Sequence, residues 1–127
     1  MIRRSRLAKR SLGILIMIAP SWTAAAQTTG RNAVKTGYAP LDGLKMYYEI
    51  HGEGQPLVLV HGGVVGIAMF GGNVDALAKG REVIAVELQG HGHTADIDRP
   101  LSFEAMADGI AGLVKYLRLN SHTMATY

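Results

Sequence analysis

The segment Leu44–Ile50, LKMYYEI, alternates along its length. Leu44, Met46, Tyr48 and Ile50 fall on one side, with Lys45, Tyr47 and Glu49 on the other, and this is the period of a half-buried strand. Asp42-Gly43 just before it favours a tight turn and predicts an antiparallel partner around Tyr38, with ordered structure starting near Gly37. Two later runs, Leu57–Val60 (LVLV) and Val83–Val86 (VIAV), are apolar at every position. Strands covered on both faces must be so, which predicts a parallel, central pair. The segment between them is long enough for a crossover helix, with Phe70, Val74 and Leu77 at i, i+4 and i+7 and with Gly71 and Gly72 weakening its first turn. A second helix is predicted within LSFEAMADGIAGLVKYLRL. There Phe103, Met106, Ile110, Leu113, Val114 and Leu117 share a face, Ser102 is the N-cap and Glu104 lies near the positive end of the dipole. Gly109 and Gly112 each cost that helix about 1 kcal/mol against alanine. The order β, β, β, α, β, α describes one α/β domain that opens on an antiparallel edge.

Charge changes this picture only at the amino end. The 127-residue chain has a formal charge of +3 and no cysteine. Arg3, Arg4, Arg6, Lys9 and Arg10 precede the apolar run LGILIMIA, so of 13 basic residues eight remain downstream against 10 acidic ones, a balance of about −2. The basic pI therefore belongs to the leader, and nucleic-acid binding loses its support. A basic start, a short apolar run and SWTAAAQ with Ala24 and Ala26 are the layout of a secretory signal peptide over residues 1–26, cleaved after Ala26. The apolar run is far shorter than the roughly 20 residues that cross a bilayer, so no stable membrane insertion is expected after cleavage. Residues 27–36 are small, polar and aperiodic, and are expected to form a disordered lead-in. Export to the periplasm or the exterior follows as an expectation.

The unusual residues follow the two apolar runs, where ligands gather in open α/β sheets. After the first comes HGGVVG, in which Gly62 and Gly63 permit a sharp turn and leave backbone amides uncovered. Such amides can stabilise a developing oxyanion, and removing one donor typically costs about 3 kcal/mol of transition-state stabilisation. The same glycines also suit a plain strand-to-helix turn. After the second run comes LQGHGHTAD. Its histidines resemble the His-x-His-x-Asp-His run of zinc hydrolases, but Asp96 is displaced by one residue and Ile97 stands where a further histidine belongs. Only His51, His61 and His122 remain as other histidine ligands, so neither a metal nor any other cofactor is expected.

Taken together, YYEIHGEGQPLVLVHGG and VIAVELQGHGHTAD resemble the amino-terminal part of the α/β-hydrolase family, in its esterase and haloperoxidase-like branch, from about Tyr38 to Leu119. The resemblance implies an incomplete α/β-hydrolase-type sheet, an antiparallel hairpin followed by parallel strands with crossover helices, over residues 37–119. It implies that Gly63, and with it Val64, supplies an oxyanion-hole amide, that His61 fixes the loop without acting as base, and that Gly62, Gly90, His91 and Gly92 shape the rim. Glu87 stands where the family has aspartate, which puts the turn's hydrogen bonding in doubt. The implied activity is hydrolysis of an ester or similar bond in a small molecule by a Ser-acid-His mechanism.

That mechanism needs Gly-x-Ser-x-Gly followed by an acid and a histidine, and no such motif occurs in the sequence. Residues 120–127 show no apolar run suited to the strand that bears the nucleophile, so a divergent or truncated tail is expected. Whether this chain is itself an enzyme is left open. The alternatives are a non-catalytic remnant or interaction fragment and, more remotely, a zinc-dependent hydrolase. An exposed sheet edge and rapid hydrogen exchange along Val83–Val86 are expected of the isolated chain.

Overall fold

The computed structural model describes residues 33–119 and 124–126. The expected leader lies outside them. In chain order the elements are β1 (Lys35–Leu41), β2 (Leu44–His51), β3 (Gln55–Val60), a 3₁₀ turn (Ile67–Phe70), α1 (Asn73–Leu77), β4 (Arg81–Val86), α2 (Phe103–Tyr116) and β5 (Met124–Thr126). They build one mixed sheet in the order β1-β2-β4-β3-β5. β1 begins at Lys35, inside the stretch expected to be disordered.

The turn chemistry sets the first register. Asp42 and Gly43 both take positive φ, 44° and 80°, as a type I′ hairpin requires, and Leu41 pairs directly with Leu44. β2 then lies antiparallel to β4, while β3 and β4 run parallel, with Leu57 opposite Val83 and Val60 opposite Val86. The apolar runs therefore sit at the centre of the sheet, as their composition demands. Alternate residues serve opposite faces. Val58, Val60, Ile84 and Val86 pack with Ile110 and Leu113 of α2, whereas Leu57, Leu59, Val83 and Ala85 pack with Ile67, Phe70 and Val74. Each of these Val, Leu, Ile and Phe side chains contributes about 1.5–3 kcal/mol when fully buried, so these two layers hold the sheet between them.

Several expectations are corrected. Tyr47 was expected on the polar side of β2, yet it is buried in the second cluster, because the turn and α1 cover that face as well. Phe103 is 88% exposed; as the first helical residue it lies ahead of the turn that meets the sheet. Gly71 and Gly72 do more than weaken a first turn, since they split the crossover into a 3₁₀ turn and a short helix that still bury Phe70 and Val74. Gly109 has a reason to be in α2: a Cβ there would stand 2.8 Å from the Met46 methyl, so glycine lets the helix lie close on the sheet. Ser102 caps that helix as expected, its hydroxyl accepting from the Ala105 amide at 3.1 Å.

The edge was misplaced. Val83–Val86 are wholly buried and flanked by β2 and β3, so they are the centre of the sheet. The segment expected to form no strand supplies β5, which pairs in parallel with β3 through Val58 and Met124, Leu59 and Ala125, and Val60 and Thr126. Backbone pairing against an existing strand needs no apolar run, which is why hydrophobic pattern alone missed it.

Candidate active site

Because β3 and β4 are parallel neighbours, the loops that follow them open on one rim, and β5 points to the same rim with Thr126 beside Val60. From β3 the chain crosses one face of the sheet and from β4 it crosses the other. The crevice between the two loops is therefore a topological switch point, where α/β sheets place their ligands.

The first loop is held at its ends and open in its middle. His61, 3% exposed, accepts the Leu88 amide on Nε2 at 3.1 Å, which assigns its proton to Nδ1, and Nδ1 donates to the Gly62 carbonyl at 3.0 Å. Neither ring nitrogen is free. Gly63 takes φ 22°, and the Val65 amide donates to its carbonyl at 2.8 Å, closing a tight turn. Val64 projects outward at 98% exposure. Among the described residues the amides of Gly63 and Val64 meet no acceptor.

The second loop is bonded chiefly through its buried polar side chains. Thr94, 1% exposed, accepts the Tyr47 amide at 2.9 Å and donates its hydroxyl proton to the Glu87 carbonyl at 2.8 Å. Gln89, also buried, donates to Asp96 Oδ1 at 2.8 Å and to the Arg99 carbonyl at 2.9 Å, while its oxygen accepts from Arg99 Nε and Nη2. His91 Nδ1 donates to the Gln89 carbonyl at 2.8 Å, and its ring lies 4.9 Å from that of His61. Gly90 and Gly92 take positive φ, 73° and 52°, and turn the chain around these side chains. His93 Nδ1 donates to Glu87 Oε2 at 3.0 Å, and its ring packs 4.4 Å from that of Tyr47. Both histidines of GHGHT thus hydrogen-bond within their own turn.

Glu87 links the two loops. Its Oε1 accepts the Ile67 amide at 3.2 Å, at the end of the first loop, and its Oε2 accepts both the amide and the imidazole of His93. The longer acid at this position therefore makes the turn's hydrogen bonds. Burial pushes its carboxyl up, but the His93 and Ile67 amides and the His93 imidazole outweigh burial and hold it below the ordinary glutamate value. Tyr47 moves the other way. Burial, then its hydrogen bond to Glu49 and the charges of Glu49 and Glu87, push its phenol up to about 12.

The sequence had singled out Gly62, Gly63, Val64, Gly90, His91, Gly92 and His61, and the fold brings all of them to this rim. It did not mark Thr94 or Gln89. A polar residue beside a buried strand end, as in VELQ, was the available signal. Ser102, the only serine among the described residues, caps α2 and takes no part in the rim.

A scan of family models found no match, and a search of curated proteins found none either. Solved structures do match. A haloalkane dehalogenase from Agrobacterium tumefaciens is similar with a TM-score of 0.69 at 23% identity, over 75% of this chain and 33% of that one. An epoxide hydrolase matches with a TM-score of 0.63 at 30% identity, over 67% and 30%. An esterase from Exiguobacterium antarcticum matches with a TM-score of 0.64 at 28% identity, over 72% and 34%. The chain spans about a third of the length of these structures. It corresponds to part of an α/β-hydrolase, the family whose fold these neighbours share.

Proposed function

We propose that this chain carries the oxyanion-binding part of a hydrolase that cleaves an ester or similar bond in a small molecule. The supporting observation is the pair of amides at Gly63 and Val64, which among the described residues meet no acceptor, in a turn at φ 22° seated where the parallel strands end. Such donors are pre-aimed, so they stabilise charge that develops on a carbonyl oxygen without reorganising. His61 holds that turn through its bonds to Leu88 and Gly62 and does not take a proton from a nucleophile. The attacking serine, its acid and its base belong to the complete hydrolase, with the serine on an elbow after a strand in the position of β5. The neighbours named above are hydrolases of differing bonds, and the esterase among them supports the acyl-transfer reading. Export to the periplasm or the exterior, from the leader over residues 1–26, belongs to the same proposal.

The test is a chimera in which residues 35–119 replace the equivalent segment of the Exiguobacterium antarcticum esterase. Aryl-ester turnover abolished by a serine-directed phosphonate is the expected result. Val64→Pro, which removes one amide, should then lower kcat about 100-fold or more while Val64→Ala does not. A folded chimera with the same kcat for Val64→Pro and Val64→Ala would remove the proposal's basis.

A further inference from the structure

The Glu87 carboxylate is divided between two loops and fits its space tightly. Oε1 receives the Ile67 amide from the loop after β3, and Oε2 receives the His93 amide and imidazole from the loop after β4. A Cβ placed on Gly66 would stand 2.5 Å from Glu87 Oε1, and one on Gly92 would collide with the whole carboxylate. Gly66 has φ −140° and ψ −158°, extended backbone open to any residue, so its need for glycine is a matter of space. Gly92, at φ 52°, is constrained by its backbone as well.

We propose that Glu87 is a positioning residue that sets how the Gly63–Val64 turn sits against the β4 rim, and that Gly66 is the room its side chain requires. An aspartate would withdraw the carboxylate by about 1.5 Å, one carbon–carbon bond, and could not hold Ile67 and His93 at their present spacing. The two loops would then lose a shared anchor, and the amides at Gly63 and Val64 their fixed aim. The catalytic consequence rests on the oxyanion reading above; the coupling of Glu87 to Gly66 does not.

The anchor is strongest as the anion, because protonation takes away the charge that strengthens both oxygens as acceptors and puts a donor among the three N–H groups that face them. The groups that face it are Tyr47, Glu49 and His51 from β2, Asp75 from α1 and His93 from its own loop. With Ile67 and Ala68, most of these line a cavity of about 280 Å³ beneath the first loop. The 3₁₀ turn brings only apolar side chains to it.

The experiment uses the full chain. Gly66→Ala alone should lower the folded-to-unfolded ratio about tenfold, the effect of overpacking a tight site. In the Glu87→Asp background the same change should cost no more than about twofold, because the shorter acid vacates the space. In Glu87→Gln, whichever way the amide is turned, one loop faces a donor, so the Ile67 or the His93 amide should exchange with solvent about tenfold faster. In the unaltered chain the amide resonances of Ile67 and His93 should titrate together, with one midpoint below the ordinary glutamate value, and Glu87→Gln should abolish that titration. Additive costs for Gly66→Ala and Glu87→Asp would overturn the proposal, as would separate midpoints for the two amides. Should Glu87→Gln fail to fold, the double-mutant cycle and the titration decide it. If the cycle is coupled and the chimera hydrolyses no ester, the anchor stands and the oxyanion reading falls.

Discussion

The two rim loops occupy equivalent places, each leaving a central parallel strand, yet they are built in opposite ways. The loop after β4 ties itself together with side chains, through Thr94, Gln89, Asp96 and Arg99. The loop after β3 makes two short-range bonds of its own, from Val65 to Gly63 and from the His61 ring to Gly62, and is otherwise held from the neighbouring loop, by the Leu88 amide on His61 and by Glu87 on Ile67. One loop is scaffold and the other is display. Backbone donors can be left free for a ligand only where something else fixes the chain that carries them, since a loop that satisfied its own amides would have none to offer.

The comparison can be tested by its largest contrast first. Val83–Val86 should exchange their amides only through global unfolding, because they are wholly buried and paired on both sides, while Gly63 and Val64 should exchange nearly as fast as an open chain. Native-state hydrogen exchange measures both; equal rates at the two sites would erase the distinction. Thr94→Val comes next. It keeps the shape but strands the buried Tyr47 amide and Glu87 carbonyl, so urea denaturation should show a loss of about 2–3 kcal/mol.

Acid comes third. The Glu87 carboxyl is held below the ordinary value in the folded chain, so the unfolded chain binds its proton first as pH falls. Its contribution is present above the unfolded value of 4.5 and is lost as pH drops through the folded one. Glu87→Gln should flatten that part of the stability profile. Tyr47 has the reverse sign. Its phenol titrates at about 12 against an unfolded value of 10.0, so its contribution is complete below 10.0 and is lost as pH rises towards about 12, which phenolate absorbance would follow. The smallest effect belongs to the display loop. Val64→Ser, at a side chain 98% exposed, should change stability by less than about 0.5 kcal/mol.

Much of the fold was legible because the physics behind it is local. The alternation of LKMYYEI, the turn at Asp42-Gly43, the apolar runs of β3 and β4 and the cap at Ser102 each depend on residues close in sequence, and each lies where its pattern placed it. The misreadings are non-local. Nothing near Tyr47 reveals that the 3₁₀ turn and α1 will cover its side of β2, and nothing in NSHTMATY reveals a ready strand edge on β3.

The candidate site divides along the same line. The sequence by itself determined which chain turns lie at the rim, since glycines after two fully apolar strands leave little choice about where the backbone reverses. Only the tertiary structure decided that His61 reaches Leu88, that Thr94 closes onto Tyr47, and that Glu87 joins two loops through a gap kept open at Gly66. Those partners are distant along the chain and meet only when β3 and β4 lie side by side, so their pairing is a property of the assembled sheet.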